Sequence, residues 1–264
     1  MNDETKIVRE SIWITGRNPV LEALQAGLRA EELLLRKGLA GAQPEKARRM
    51  AQVRHIPVRE LDEGGMDRLL KSPEHRGMAL RLELPSPLSW DEFLSRHQES
   101  GGQLDQLCLV LLDGVQDPHN LGAILRTAHS AGVHAVILPE RGVAPLSAAV
   151  FRVSAGALAW QTLVRVPDAA WFLDRLAPLG FNRIGLDSHA GPFLNQTPAS
   201  LPVCLVLGGE GRGLAHRVQE RLDSLVRIPM RGRVDSLNVS VAAGIVIYHF
   251  MAETEAIGEE GPHV

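Results

Sequence analysis

Three short polar stretches in the second half of this 264-residue chain each follow a run of Val, Leu and Ile. They are residues 113–122 (DGVQDPHNLG), 208–213 (GGEGRG) and 231–238 (RGRVDSLN). Carboxamide, carboxylate, hydroxyl and guanidinium groups carry much hydrogen-bonding capacity, so such stretches either cap helices or hold a ligand. The candidate catalytic residues in these stretches, or just beyond them, are Asn120, Arg126, Glu210, Ser236 and Asn238.

Each candidate also has a purely structural interpretation. Asn120 is a good helix cap, and Arg126, six residues further along the same predicted helix, is typical of an exposed surface position. The glycines of 208–213 are typical of a simple turn. Ser236 is a good N-cap for the last predicted helix, with Asn238 as an early polar residue. The functional interpretation depends on all three stretches opening at one edge of a sheet.

The common phosphate, nucleophile and metal motifs do not occur in this sequence. There is no G-x-G-x-x-G after the first strand of the second half, no G-x-x-x-x-G-K-[ST] and no G-x-S-x-G, which disfavours a nicotinamide oxidoreductase, a P-loop enzyme and an α/β-hydrolase. The histidines lack H-x-x-x-H spacing, so no metal site is expected. Cys108 and Cys204 lie in apolar runs and are predicted to be buried thiols.

Several features favour a cytoplasmic protein with no membrane partner. No apolar run approaches the roughly 18 residues of a membrane span. The first ten residues, MNDETKIVRE, are polar and unlike a signal peptide.

The second half of the chain alternates between apolar runs and helical patterns. The predicted strands are Leu107–Leu112, Val133–Leu138, Phe181–Leu186, Val203–Leu207 and Leu225–Ile228, and the predicted helices are Leu121–Ala131, Asp168–Leu179, Leu214–Leu222 and Leu237–Met251. Strands that are apolar throughout are typical of a parallel sheet covered by helices on both faces. Ligands of such sheets bind beyond the carboxyl ends of the strands, which is where the three polar stretches lie.

The first part of the chain, residues 1–84, is predicted to form a separate small α/β domain. Its predicted helices are Asn18–Ala26, Pro44–Val53 and Met66–Lys71, and its predicted strands are Glu32–Arg36, Pro57–Leu61 and Gly77–Leu84. Pro, Ser and Gly cluster at 85–105, which predicts a linker and leaves 106–264 as the second domain. All four lysines lie before Arg81, in a part with an excess of about three positive charges, whereas the remainder is acidic. This asymmetry favours two domains with different tasks, although chance explains it equally well.

The three polar stretches also carry a family resemblance. LDGVQDPHNLGAILRTAHSAGV, LVLGGEGRGL and IPMRGRVDSLNVSVAAG resemble the three ordered motifs of the SpoU (TrmH-type) RNA ribose 2′-O-methyltransferases, within the SPOUT superfamily. GRNPVLEAL and HRGMALRL resemble the segments that bound the L30e-like RNA-binding domain of this group. The resemblance is strongest to the bacterial enzymes that methylate a guanosine of 23S rRNA, and it covers nearly the whole chain.

The resemblance implies a trefoil-knotted C-terminal domain, a homodimer and S-adenosylmethionine as the cofactor. It places the cofactor against the backbone of Gly208, Ile228 and Leu237. It also assigns the five polar candidates to the family's catalytic positions. The segment Arg233-Val234-Asp235 departs from the family pattern, where small uncharged residues are more usual.

The implied function is transfer of a methyl group to a ribose 2′-hydroxyl of RNA, specifically a guanosine in 23S rRNA. The alternatives are the same reaction on tRNA, and an RNA-binding or ribosome-assembly protein without catalytic activity. Arg126 is expected to stabilise the developing alkoxide, because arginine is not deprotonated in proteins. The final helix, apolar all round, also favours a homodimer. RNA capture is expected from the front domain, through Lys37, Lys46, Arg48, Arg49 and Arg54, and a fragment starting at Gln103 is expected to fold alone.

Overall fold

The computed structural model describes residues 11–71, 73–188 and 191–253, and it divides into two compact units. The first unit contains the chain up to Pro85 together with Leu146–Trp160. The second unit contains the rest, from Ser86 to Pro145 and from Gln161 onward. Among the described residues, no helix is both long and apolar enough to cross a membrane.

The first unit is a four-stranded mixed sheet with helices. Its strands are β1 (Ser11–Thr15), β2 (Ala30–Arg36), β3 (Val58–Leu61) and β4 (Met78–Glu83), and its helices are α1 (Arg17–Gln25), α2 (Ala42–Val53), α3 (Glu63–Leu70) and α6 (Ala148–Val153). The strand order is β1-β4-β2-β3, in which β2 and β3 are parallel and the other pairs antiparallel. Leu33, Leu34 and Leu35 are fully buried in the centre of this sheet.

The second unit is a six-stranded sheet in which every described pair of strands is parallel. Its strands are β5 (Cys108–Asp113), β6 (Ala135–Pro139), β7 (Leu163–Val166), β8 (Asn182–Leu186), β9 (Val203–Gly208) and β10 (Ser224–Val226), and its helices are α4 (Trp90–Glu99), α5 (Pro118–Ser130), α7 (Ala169–Leu176), α8 (His216–Gln219) and α9 (Val239–Glu253). The order is β10-β8-β9-β5-β6-β7. The predicted buried parallel sheet is therefore confirmed.

The continuous apolar strands are buried for the reason that the sequence suggests. Residues 107–112 are all fully buried, so both faces of β5 are covered. Cys108 and Cys204 are buried free thiols in adjacent strands, as predicted, and burial raises the pKa of Cys108 to about 12. Two strands were not predicted from the sequence. β1 and β7 are only five and four residues long, and runs this short give a weak periodic signal.

The prediction of a linker at 85–105 is wrong in its central part, because that segment contains α4. Ser89 accepts a hydrogen bond from the backbone N–H of Glu92, whose side chain accepts from the Ser89 N–H, so the helix begins with a capping box. Trp90 and Phe93 are buried in the core of the second unit, and Trp90 meets Phe172 edge-on with ring centroids 4.9 Å apart. A fragment starting at Gln103 would lack both rings, so we no longer expect it to fold stably.

The segment Leu146–Trp160 also departs from the simple division at residue 106. It contains α6, which packs against β1, and Phe151 of α6 is fully buried. The sequence gives little sign of this, because a six-residue helix is too short to show a clear period. A fragment without the first 85 residues would expose Phe151, so experiments on this protein should use the full chain.

We predict that Phe93→Ala destabilises the second unit by about 3–5 kcal/mol, since it removes a buried ring from a packed core. The change should lower the thermal unfolding midpoint measured by circular dichroism. Gln98→Ala, at an exposed position of the same helix, is the control and should change the midpoint little. Equal midpoints for the two variants would show that α4 is not part of the core.

Candidate active site

The site lies where the central strands of the parallel sheet end. β5 and β9 are neighbours, and Asp113 at the end of β5 is in register with Gly208 at the end of β9. The loop after β5 leads into α5, and the loop after β9 contains the glycines of 208–213. Two of the three polar stretches thus emerge side by side at the carboxyl edge of the sheet, as the sequence predicts.

Three of the predicted residues form one hydrogen-bonded cluster, which we call the Asn-Glu-Asn cluster. The Asn120 side-chain amide donates to Glu210 Oε1 at 2.7 Å. The Asn238 amide donates to Asn120 Oδ1 at 2.9 Å and to Glu210 Oε1 at 3.0 Å. Asn120 is only 6% exposed. The cluster therefore joins residues that are 90 and 118 positions apart in the chain.

Asn238 has a second role, because it also caps the last helix. Its Oδ1 accepts from the backbone N–H of Ser240 at 2.9 Å and from the Ser240 hydroxyl at 2.6 Å. Helix α9 begins at Val239. The interpretation of Ser236 as the N-cap, with the helix starting at Leu237, is therefore wrong. A carboxamide combines an acceptor and a donor, so Asn238 can cap the helix and bind the cluster together.

A cavity of about 640 Å³ opens beside the cluster. Its lining contains the three predicted cofactor-binding residues Gly208, Ile228 and Leu237, together with Glu210, Ser236 and Asn238. Ser236 is exposed, and its hydroxyl lies 3.5 Å from Asp235 Oδ1. The structure thus brings seven of the eight predicted site residues into one region, six on the cavity wall and Asn120 directly behind Glu210.

The eighth residue, Arg126, is not brought into this cluster. It lies on α5 with an exposed side chain, and it does not line the cavity. Within the described part of the chain it makes no hydrogen bond or ion pair. Asn120 and Arg126 are six residues apart on one helix, so they point in directions about 120° apart. The structure therefore does not bring Arg126 beside the other four candidates within one chain, and its catalytic role stays a prediction.

The glycines of the loop after β9 are required by backbone packing. A β-carbon on Gly209 would lie 2.1 Å from the carbonyl oxygen of Gly114, and one on Gly208 would lie 2.4 Å from the carbonyl carbon of Gly213. Both distances are far shorter than any real contact, and backbone atoms cannot move aside cheaply. The absence of a side chain at Gly208 therefore lets its own loop fold back.

Asp113 is a site residue that the sequence interpretation quoted but did not single out. Its Oδ2 accepts from the backbone N–H of Ala215 at 2.8 Å, and its carbonyl oxygen accepts from Gly209 N–H at 2.8 Å. It thereby holds both ends of the glycine loop. Its position, the last residue of an apolar strand, is the signal that could have identified it. Arg212 and Asp235 also line the cavity and were not predicted as site residues.

No group of His, Cys, Asp and Glu among the described residues is arranged to hold a metal ion. The cavity instead offers backbone polar groups, apolar side chains and carboxylates. Glu210 and Asp235 contribute negative charge to its wall, which favours a ligand with a positive charge.

Comparison with known proteins agrees with this geometry. Residues 107–248 match the SpoU rRNA Methylase family, and residues 13–88 match the RNA 2′-O ribose methyltransferase substrate binding family. A Staphylococcus aureus protein described as a TrmH family tRNA/rRNA methyltransferase is 33% identical over 250 residues, covering 95% of this chain and 99% of that protein. The chain belongs to the SpoU rRNA methylase family.

Two solved structures are similar over most of their length. An AdoMet-bound rRNA methyltransferase from Sinorhizobium meliloti superposes with a TM-score of 0.74 at 26% identity, covering 93% of this chain and 88% of that chain. A structure described as an RNA 2′-O ribose methyltransferase gives a TM-score of 0.73, also at 26% identity, covering 93% and 89% of the two chains. The class of protein is therefore an RNA methyltransferase with a parallel α/β fold.

We predict that Gly209→Ala destabilises the protein by about 3 kcal/mol or more, because the new methyl group would overlap the Gly114 backbone. Gly232→Ala is the control, since the nearest atom to a β-carbon there is 4.0 Å away and its φ is unstrained. Thermal unfolding of both variants tests the prediction. A Gly209→Ala protein as stable as Gly232→Ala would contradict the close backbone contact.

Proposed function

We propose that the protein transfers a methyl group from S-adenosylmethionine to the ribose 2′-hydroxyl of a guanosine in 23S rRNA. The observation that carries this proposal is the Asn-Glu-Asn cluster on the wall of a cavity at the carboxyl edge of the sheet. The family of the chain supports the reaction class, and the front segment matches a substrate-binding family for ribose methylation.

The cofactor is S-adenosylmethionine, which supplies a methyl group on a positively charged sulfur. The cavity fits such a molecule in chemistry. Gly208 lines the cavity with backbone atoms, Ile228 and Leu237 offer apolar surface, and the carboxylates of Glu210 and Asp235 favour the sulfonium charge. A volume of about 640 Å³ is also within the range of cofactor sites.

The side chains of this protein position the hydroxyl rather than supply covalent chemistry. Asn120 and Asn238 each donate one hydrogen bond to the Glu210 carboxylate, and a third joins the two asparagines. Such preorganisation needs no rearrangement during the reaction. Ser236, exposed on the cavity wall, would contact the ribose. Together these residues would hold the 2′-oxygen in line with the methyl group that the bound cofactor supplies.

Arg126 completes the site from a second copy of the chain. Its guanidinium is exposed and unpaired within the described residues, away from the cavity of its own chain. A permanently charged guanidinium suits the adjacent phosphate and the negative charge that grows on the 2′-oxygen. If Arg126 acts in the site of the other chain of a twofold dimer, this role agrees with its position away from the Asn-Glu-Asn cluster of its own chain.

An apolar stripe on α9 provides the surface for this dimer. Val241, Ile245 and Tyr248 are 52%, 41% and 46% exposed, and their spacing of four and three residues places them on one face of the helix. The opposite face is buried through Ala243, Ile247 and Phe250. This explains why the helix is apolar all round.

We also propose two features of the fold that the family resemblance implies. The first is the trefoil knot. Gly191 passes so close to β10 that a β-carbon on it would lie 1.8 Å from the Leu225 carbonyl oxygen, and Phe193 forms a bridge with Arg227. These contacts continue the parallel pairing of β8 with β10, and the family of the chain is the support for the knot. The second is an L30e-like first unit, for which its mixed α/β sheet and its substrate-binding match are the support.

The positive residues of the first unit divide into free and structural ones. Lys37, Lys46 and Arg49 are exposed. Arg48 is ion-paired with Glu60, and Arg54 donates to the carbonyl oxygens of Leu24 and Leu28 at the end of α1. We therefore assign RNA phosphate binding to the three exposed residues and remove Arg48 and Arg54 from the expected set of five.

Methylation profiling tests the proposed function. Ribosomal and transfer RNA from cells with and without the gene would be compared for 2′-O-methyl groups. Loss of one 2′-O-methylguanosine from 23S rRNA is the expected result. Loss of a 2′-O-methyl group from a tRNA would identify tRNA as the substrate instead. An unchanged methylation profile would favour an RNA-binding protein without catalytic activity.

We predict that Asn120→Ala and Arg126→Ala each lower the methyl transfer rate by about 100-fold or more, the size of losing one positioned donor. Both proteins should remain folded, since the Arg126 side chain is exposed and Glu210 keeps its hydrogen bond from Asn238 when Asn120 is changed. Purified protein, labelled cofactor and RNA from the deletion strain provide the assay. A folded Arg126→Ala protein with the wild-type rate would contradict the assignment.

Mixing two inactive variants shows which chain supplies Arg126. If it acts across the dimer, Arg126→Ala mixed with Glu210→Ala should recover about a quarter of wild-type activity, because half the dimers are mixed and each has one intact site. If Arg126 acts within its own chain, every mixed dimer has two damaged sites and no activity returns.

We also predict that replacing Lys37, Lys46 and Arg49 together by Ala flattens the salt dependence of RNA binding. Each lost phosphate contact changes the slope of log K against log salt by about 0.7, so the total change should approach 2. Fluorescence anisotropy with a 23S rRNA fragment measures it. Arg48→Ala is the control and should keep the wild-type slope. An unchanged slope in the triple variant would remove this surface from RNA binding.

A further inference from the structure

A second cavity, of about 250 Å³, opens at the carboxyl ends of β5, β6 and β7. Its lining is dominated by charge of both signs, from Asp113, Glu140, Asp168, Arg141 and Arg217. The remaining lining residues are Pro139, Pro167 and Ala169. None of the five charged residues belongs to the Asn-Glu-Asn cluster or to the cofactor cavity.

Much of the hydrogen-bonding capacity in this cavity is unused. One carboxylate oxygen of Asp113 accepts a hydrogen bond from Ala215 N–H, and one of Asp168 accepts from Trp171 N–H. The side chains of Glu140, Arg141 and Arg217 make no hydrogen bond or ion pair within the described residues, and all three are exposed. The cavity therefore presents free carboxylate acceptors and free guanidinium donors within a space of about 250 Å³.

The two cavities are lined by neighbouring residues, because Asp113 of the charged cavity and Gly208 of the cofactor cavity are in register on adjacent strands. Gly209 lines the cofactor cavity, and a β-carbon on it would meet the Gly114 carbonyl oxygen at 2.1 Å. Gly114 follows Asp113, which lines the charged cavity. A β-carbon on Gly142 would lie 4.0 Å from Gly114 Cα. Gly114 thus lies next to residues that line each of the two cavities.

A nucleotide whose ribose lies beside the cofactor cavity, near Gly114 and Gly209, could reach the charged cavity with its base, because lining residues of the two cavities are neighbours. RNA-modifying proteins commonly read an unstacked base by hydrogen bonds to its Watson–Crick edge.

We propose that the charged cavity binds the base of the nucleotide to be methylated, and that it selects guanine. Guanine presents two neighbouring donors, N1–H and the N2 amino group, which match the two oxygens of a carboxylate, and an acceptor, O6, which matches a guanidinium. Glu140 accepts from the two donors, and Arg141 and Arg217 donate to O6. This inference rests on the proposed function and adds the residues that choose the base.

The other bases fit this set of groups less well. Adenine has an acceptor at N1, which would face the Glu140 carboxylate without a hydrogen. Uracil and cytosine offer a single donor position on the same edge. A carboxylate that has lost its water and faces a lone pair is costly, so the cavity discriminates against these bases as well as favouring guanine.

Inosine provides a direct test, since it differs from guanosine only by lacking the N2 amino group. A synthetic RNA spanning the mapped position would carry guanosine or inosine there, and kcat/KM would be measured for the wild-type protein and for Glu140→Gln. With the wild type we expect inosine to lower kcat/KM by about tenfold, the size of one hydrogen bond to a charged group. Glu140→Gln should lower kcat/KM for guanosine by a similar factor.

The decisive quantity is the coupling between the inosine replacement in the RNA and the Glu140→Gln change in the protein. Glu140→Gln should distinguish guanosine from inosine by less than about threefold, because the partner of the N2 amino group has lost its charge. Glu99→Gln, an exposed glutamate on α4, is the matched control and should keep the tenfold preference. Cofactor affinity and the unfolding midpoint of Glu140→Gln should equal those of the wild type.

Three results would overturn the proposal in distinguishable ways. Equal wild-type rates on guanosine and inosine would show that the N2 amino group is not read, while leaving the methyl transfer intact. A tenfold preference that persists in Glu140→Gln would show that another residue reads it. Absence of methyl transfer to either RNA by the wild type would remove the proposed function, and this inference with it.

Discussion

The close contact between the backbones of Gly114 and Gly209 is the constraint on which the site depends. Gly209 N–H donates to the Asp113 carbonyl oxygen, and the Asp113 carboxylate receives Ala215 N–H at the other end of the glycine loop. Parallel pairing of β5 and β9 brings these chains together, and only glycine allows the final approach. This contact sets where Glu210 emerges, and therefore where it can meet Asn120 and Asn238.

The Asn-Glu-Asn cluster then links three distant parts of the chain in one polar network. Asn238 donates into the cluster and caps α9 at the same time. Asn120 is buried, and a buried polar group without a partner is costly. Its hydrogen bonds with Glu210 and Asn238 therefore stabilise the positions of both. The stretch 231–238 before α9 is rich in polar residues because, within a few positions, it lines the cavity, caps the helix and binds the Glu210 carboxylate.

Much of this could be predicted from the sequence, for physical reasons that also explain the failures. Apolar strands such as 107–112 are long enough to identify, and parallel strands place their following loops at one edge, so Glu210 and Asn238 could be placed together. The position of Arg126 could not be predicted, because helical phase relative to a neighbouring loop depends on packing. The linker prediction was wrong because Pro, Ser and Gly around α4 outweighed a short helix whose Trp90 and Phe93 are core residues. The catalytic and cofactor roles of the predicted residues stay predictions.

The chemical identity of the product tests the central claim most directly. Purified protein would be incubated with S-adenosylmethionine labelled in its methyl group and with ribosomal RNA from cells lacking the gene, and the RNA would be digested to nucleosides. The account predicts label in 2′-O-methylguanosine, and none when Glu210→Ala replaces the wild type. Label in a base-methylated nucleoside, or no transfer by a folded protein that binds the cofactor, would contradict it.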